Sequence, residues 1–177
     1  MRSAVHSTFG DPAEVLQLGD SPVPVPQAGE VRIRMLLSPI HNHDLWTVRG
    51  SYGYKPTLPA IGGSEAIGMV EAVGAGVPEA LIGKRVAAGG VPGRWAESFV
   101  AAAAGIVPLP DSISDEDGAQ LIAMPFSAIS LLEFCQLQPG DWVVQTAANG
   151  AMGKIVTSLA KARGIHTLNL VRRDEAV

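Results

Sequence analysis

The chain has 177 residues, with 13 Lys and Arg against 17 Asp and Glu for a formal charge of −4, 47% hydrophobic and 17% charged residues, and one Cys. This much apolar content with so little net charge excludes a disordered coil, and a single Cys excludes an intramolecular disulfide framework or a multi-thiolate zinc lobe. The mild acidity supplies no basic footprint for nucleic acid; residues 1–6 hold no apolar leader, and no segment reaches the ~18 apolar residues of a membrane span, so the reading is a soluble, cytoplasmic protein.

Up to about Pro110 the chain is punctuated by Gly and Pro: Ser21-Pro22-Val23-Pro24-Val25-Pro26, Gly62-Gly63, Gly74-Ala75-Gly76 and Gly89-Gly90. Between these turns lie short alternating runs. Residues 31–37 place Val31, Ile33, Met35 and Leu37 on one strand face, and His41 and His43 are expected to share a strand face in the same way. Many short strands between Gly and Pro turns predict a small barrel or sandwich over residues 1–110.

A different pattern occupies residues 111–177. Ser114 followed by Asp115, Glu116 and Asp117 offers a helix cap with acids in the first turn, and the helix is expected to continue through residues 120–123. Pro125 opens a second apolar helix running towards Gln136, which Gln138-Pro139-Gly140-Asp141 closes with a turn. Residues 142–146 are short and rich in β-branched and aromatic side chains, and read as a buried strand. Met152, Ile155, Val156, Leu159 and Ala160 then form the stripe of an amphipathic helix. Gly164 stops it, and residues 165–171 read as a second strand. The unit is strand, Gly-containing turn, helix, strand, which makes the fold class α/β.

The turn carries the most information. Its sequence is Ala147-Ala148-Asn149-Gly150-Ala151-Met152-Gly153-Lys154. Gly150 is expected to take backbone angles closed to other residues, Gly153 to let helix and strand approach, and the helix N-terminus to point free N–H groups at a phosphate. Asn149, Gly150, Ala151, Met152 and Gly153 are therefore candidate cofactor contacts, although the same spacing also makes a tight turn with no ligand. Arg172 and Arg173 lie ~20 residues past Gly153, where an acid would accept the 2′-hydroxyl of NAD. Two guanidiniums there can fork onto a 2′-phosphate, which favours NADPH. The alternative is a solvated pair at a strand end.

Several ordered segments, namely Leu58-Pro59-Ala60-Ile61-Gly62-Gly63-Ser64-Glu65, Val73-Gly74, Gly83-Lys84-Arg85-Val86, Gly93-Arg94-Trp95-Ala96-Glu97 and Leu137-Gln138-Pro139-Gly140-Asp141, together resemble the medium-chain dehydrogenase/reductase superfamily. The resemblance implies a GroES-like β-barrel domain at 1–110 and the first part of a Rossmann dinucleotide-binding domain at 111–177. Arg49-Gly50-Ser51-Tyr52-Gly53, the turn at 145–153 and Val171-Arg172-Arg173 look most like the 2-enoyl thioester reductases, with the quinone oxidoreductases close behind. Zinc alcohol dehydrogenases of the superfamily supply Cys, His and Cys to the metal. His41, Ser64 and a position near Ala123 fall at those places, so no catalytic zinc is expected. His41, Asn42 and Trp46 instead read as lining of a substrate pocket.

The implied reaction is NADPH-dependent reduction of the activated C=C of a 2-enoyl thioester, as in fatty acid metabolism. Tyr52 sits where those reductases carry a tyrosine, and a phenol can donate a proton to the developing enolate. An aromatic plug at a loop tip is the other reading of Tyr52. Ser127, in Met124-Pro125-Phe126-Ser127-Ala128 where the resemblance implies Asn-Pro-x-Thr-Ala, offers a hydroxyl to the nicotinamide carboxamide. An NADPH:quinone or enone oxidoreductase and a truncated, non-catalytic nucleotide-binding module are the alternative functions. A complete dinucleotide fold has two βαβαβ halves. The sequence is therefore expected to be the first part of a longer, homodimeric enzyme and to be inactive alone.

Overall fold

The computed structural model describes residues 1–90 and 92–173. β1 (Arg2–His6) is followed by one helical turn, α1 (Pro12–Val15), and by β2 (Gln17–Asp20), which pairs antiparallel with β1. β3 (Glu30–Leu37) precedes α2 (Asn42–Arg49), and then come β4 (Ala60–Ile61), β5 (Ala66–Val73), β6 (Arg85–Ala88), β7 (Ser98–Ala102) and β8 (Ile106–Pro108). The larger sheet has five strands in the order β7-β3-β5-β6-β8, and the smaller has three in the order β2-β1-β4. Short strands bounded by Gly and Pro fold in this way because each buries one apolar face and then turns.

Val31 and Ile33 are fully buried and join Ala66, Val70, Val86, Ala88 and Phe99 in the main core. The alternation expected over 31–37 holds only as far as Met35. Register against β5 shifts between Met35 and Leu37, and Leu36 and Leu37 are each 37% exposed. One extra residue in a strand turns the pleat over, so Leu37 leaves the buried face.

His41 and His43 do not share a strand. His41 is the N-cap of α2, and its backbone N–H donates to Asp44 Oδ2 at 2.9 Å. An acid three residues past the cap closes the helix start locally, which overrides the strand reading.

α3 (Asp115–Gly118) begins as its sequence suggests, with Ser114 Oγ accepting the Asp117 N–H at 3.1 Å. It stops at Gly118 instead of running on through residues 120–123. The Ile122 N–H donates to Glu65 Oε1 at 2.6 Å, so the backbone there leaves the helical path. Leu109, Ala119 and Ile122 pack on Ile67 and Ala87, and Arg85 Nη1 lies 2.6 Å from Asp115 Oδ1. Residues 111–122 therefore fold with the barrel, and the chain divides into units at Met1–Ile122 and Ala123–Val177. Composition shifts at Pro110, whereas the division follows where the apolar side chains pack.

The second unit opens with α4 (Ala123–Cys135), with Pro125 in its first turn, where a missing N–H costs nothing. β9 (Trp142–Thr146), α5 (Ala151–Ala162) and β10 (His166–Leu170) follow, the two strands parallel with Trp142 opposite His166. Ala128 and Leu132 of α4 pack on Val156, with Met152, Ile155 and Leu159 around them, so the α5 stripe is the one expected. Gly164 ends the helix with φ +69. β9 is not a buried strand, since Trp142 is 66% and Val144 60% exposed. Gln145 faces α5, and Trp142 and Val144 lie on the opposite face.

Gly68 in β5 faces the Arg34 carbonyl and the Ile33 side chain so closely that a Cβ would overlap both. We expect Gly68→Ala to cost about 1–3 kcal/mol by overpacking, read as a lower urea midpoint at constant m-value. Wild-type stability would show that β3 and β5 separate freely.

Candidate active site

Glu65, between β4 and β5, is completely buried. A carboxylate there needs partners within the protein. Oε2 lies 2.8 Å from His41 Nε2, and Oε1 accepts the Ile122 N–H. His41 is itself 9% exposed, held at the start of α2 by the Asp44 cap. The hydrogen bond to Glu65 raises the His41 pKa above its ordinary 6.5; burial opposes this, and the charges of Glu65 and Asp44 add to it.

His43 lies in the first turn of the same helix, with Nε2 2.7 Å from Ser64 Oγ and 3.6 Å from Asp44 Oδ1. Its ring stacks on that of His41, with centroids 4.9 Å apart and planes at 22°. Tyr52 continues the column at 5.8 Å and 30° from His43. The local chain places Tyr52 there. Gly50 ends α2 with a left-handed φ of 74, and the Ser51 and Tyr52 N–H groups both donate to the Trp46 carbonyl, at 3.0 and 3.2 Å. Gly62 and Gly63, just before Ser64, lie against the Trp95 indole, which a Cβ on either would strike.

The expected residues His41 and Tyr52 are thus brought together through His43. Trp46 is 54% exposed on α2, and Asn42 is exposed at its first turn. The sequence pattern places His43 only on a strand face shared with His41 and Ser64 only at a zinc-ligand position, and it gives Glu65 no role. The available signal was an acid placed directly after Gly62-Gly63-Ser64. Both Nε2 atoms are engaged, with Glu65 and Ser64, and among the described residues no group of three or more His, Cys, Asp or Glu is placed to hold a metal ion.

In the second unit the turn after β9 differs from expectation in one respect. Gly150 is an ordinary extended N-cap at φ −75 and ψ 169, and the left-handed residue is Ala147 at φ 53. The bend closes earlier, with the Gly150 N–H donating to the Ala147 carbonyl at 2.9 Å. Gly153 does permit close approach: a Cβ there would lie 2.5 Å from the Ala148 carbonyl oxygen. No side chain caps α5, which leaves the N–H groups of Ala151, Met152 and Gly153 for an anion. The Met152 side chain packs with the core, so it offers only its backbone. Asn149 is exposed, as are Arg172 and Arg173 beyond β10.

Ser127 is exposed on α4, and its hydroxyl donates to the Ala123 carbonyl at 2.8 Å. Gln145, which no pattern singled out, ties the unit together. Its Nε2 lies 3.1 Å from the Gly153 carbonyl, 2.8 Å from Thr157 Oγ1 and 2.7 Å from Asn169 Oδ1, linking both strands to the helix.

Residues 27–111 match the alcohol dehydrogenase GroES-like domain. Over nearly its whole length the chain is similar to enzymes of the medium-chain dehydrogenase/reductase superfamily. It is 36% identical over 174 residues to the mitochondrial enoyl-[acyl-carrier-protein] reductase of Homo sapiens, covering 97% of this chain and 47% of that protein. The quinone oxidoreductase of Pseudomonas syringae superposes with a TM-score of 0.90 at 34% identity, over 99% of this chain and 55% of that one. The Escherichia coli quinone oxidoreductase complexed with NADPH gives 0.89 at 27% identity, over 99% and 54%. The chain spans about half the length of these superfamily relatives. Its α/β fold is the one the motifs implied, a GroES-like barrel followed by the opening of a Rossmann domain. Among the described residues no helix is long and apolar enough to cross a membrane.

The raised His41 pKa makes stability pH-dependent. The folded state holds the proton more tightly than the unfolded chain, so the stabilisation is complete below 6.5 and is lost as pH rises through the higher folded value. We expect urea midpoints to fall over that interval, and Glu65→Gln to flatten the fall by removing its largest cause. An equal fall in both proteins would show that Glu65 does not hold the proton on His41.

Proposed function

We propose that this chain belongs to a medium-chain dehydrogenase/reductase that is an NADPH-dependent reductase of activated C=C bonds, with a 2-enoyl thioester as substrate and Tyr52 as proton donor. The observation that carries the reading is the presentation of Tyr52, 45% exposed, with its ring stacked on His43 and its backbone N–H bonded to the Trp46 carbonyl. The named activity of the human relative and the NADPH complex of the Escherichia coli enzyme support it.

NADPH, when bound, supplies a hydride. In this reading the hydride adds to the β-carbon, the thioester carbonyl takes up the charge as an enolate, and the α-carbon then needs a proton. The Tyr52 hydroxyl delivers it, and the phenolate recovers a proton from the solvent to which it is open. Asn42 and Trp46, exposed on the helix that precedes Tyr52, contact the acyl chain, and His41 is polar lining behind them.

The uncapped first turn of α5 suits a pyrophosphate, and the Asn149-to-Gly153 backbone and Arg172 and Arg173 take the phosphate groups. The Ser127 hydroxyl spends its proton on Ala123, so its free lone pairs accept from a carboxamide N–H. Quinone reduction is the second reading, favoured by the names of the solved structures. There the reduced acceptor takes its protons from water, and Tyr52 is only a contact.

Tyr52→Phe in the intact protein keeps the ring and removes the hydroxyl. Turnover of an enoyl thioester should fall by ~10²–10⁴ with unchanged NADPH affinity, and turnover of a quinone should fall little. Near-normal enoyl turnover would overturn the assignment.

Arg172→Ala together with Arg173→Ala should weaken NADPH more than NADH, each lost charge-assisted bond being worth ~1.5–3 kcal/mol. Cofactor fluorescence titrations measure both affinities. Equal losses would leave the pair as a solvated strand end.

A further inference from the structure

We infer that His43, anchored by Ser64, positions the Tyr52 phenol for proton delivery. The inference rests on Tyr52 being the donor. Three rings, His41, His43 and Tyr52, form a column whose base is the buried Glu65 carboxylate. The two lower rings are each fixed at a ring nitrogen, His41 to Glu65 at 2.8 Å and His43 to Ser64 Oγ at 2.7 Å. The His43 backbone is held as well, its carbonyl accepting the Thr47 hydroxyl at 2.8 Å.

Tyr52 is different. Among the described residues its hydroxyl makes no hydrogen bond, and it sits on the loop after α2 rather than on an element. The backbone bonds to Trp46 set where its Cα lies, but they leave χ1 and χ2 open. What orients the ring is the face of His43. A donor that swings loses the benefit of being held near the reacting atom, and a misplacement of about 1 Å costs on the order of 10²-fold in rate. Ser64 therefore acts through two steps: its hydroxyl stops the His43 ring from turning, and the fixed ring holds the phenol plane. His43 keeps 24% of its side chain exposed and Ser64 is only half-buried, so burial alone does not account for the pair.

The test uses the intact protein with NADPH and a 2-enoyl thioester. Ser64→Ala and His43→Ala should each lower kcat, by about 10–100-fold for His43→Ala, with KM for NADPH unchanged, and Ser64→Thr, which restores the hydroxyl, should recover most of the rate. In a Tyr52→Phe background the same substitutions should cost nothing further, since the hydroxyl through which they act is already gone. Ser64→Ala removes one exchangeable hydrogen bond and leaves the fold intact, so it reports even if His43→Ala lowers stability. A second readout needs no turnover: the upfield ring-current shift of the Tyr52 ring protons should vanish in His43→Ala and persist in Ser64→Thr. A large loss with Tyr52→Phe but none with His43→Ala or Ser64→Ala overturns the positioning role and spares the donor. Further loss in the Tyr52→Phe background overturns it too, because His43 would then act on its own. Normal enoyl turnover in Tyr52→Phe itself removes the donor, and this inference with it.

Discussion

Glu65 is a carboxylate sealed from water, and the first unit is arranged around satisfying it. An unpaired charge in such a place costs several kcal/mol, so its two oxygens dictate what surrounds them. One oxygen selects a histidine at the start of α2, and the other draws the Ile122 N–H out of a helical path. That bond lies past the end of the helical run at Gly118, and it adds to the packing of Leu109, Ala119 and Ile122 and the Arg85–Asp115 pair that hold residues 111–122 against the barrel. Glu65 also fixes the His41 ring, the one nearest it in the column that carries His43 and Tyr52.

The two units use opposite resources. In the first, side chains do the chemistry, and the backbone of α2 and the Gly62-Gly63 turn hold them in place. In the second, the proposed cofactor contacts are mostly backbone, and side chains such as Gln145 and Thr157 stiffen the turn that presents them. The uncapped start of α5 leaves its first N–H groups without a side-chain partner, which the proposed pyrophosphate site would use. Ala147 takes a left-handed φ in the same turn, and such strain persists only where the surrounding structure over-determines it.

The difference between an enoyl reductase and a quinone reductase reduces to one proton. Both readings use the same fold and the same hydride donor, and they part on whether a protein hydroxyl must meet a carbanion-like centre. The exposure of Tyr52, its lack of a hydrogen-bonding partner among the described residues, and the His43 ring against it are what the proposed donor role rests on. The identity to an enoyl reductase at 36% and the likeness to quinone oxidoreductases are compatible with either end of that distinction.

The sequence alone carried the periodic and the local. The alternation of β3 up to Met35, the stripe of α5, the Ser114 cap, the Gly164 stop and the close packing at Gly153 are all properties of residues a few positions apart, which follow from backbone geometry. The ordered motifs are legible for the same reason, being contiguous. Only the tertiary structure decided what depends on distant partners or on single-residue offsets. Glu65 meets His41 across 24 positions, and no periodicity records that pairing. One shifted residue in β3 moved Leu37 off the core face, one acid at Asp44 made a helix start where alternation suggested a strand, and Ala147 rather than Gly150 took the left-handed angle. A repeating pattern reports which way a side chain leaves the backbone. What it then touches is set by chain that comes back from elsewhere, and that is where the column of His41, His43 and Tyr52 is made.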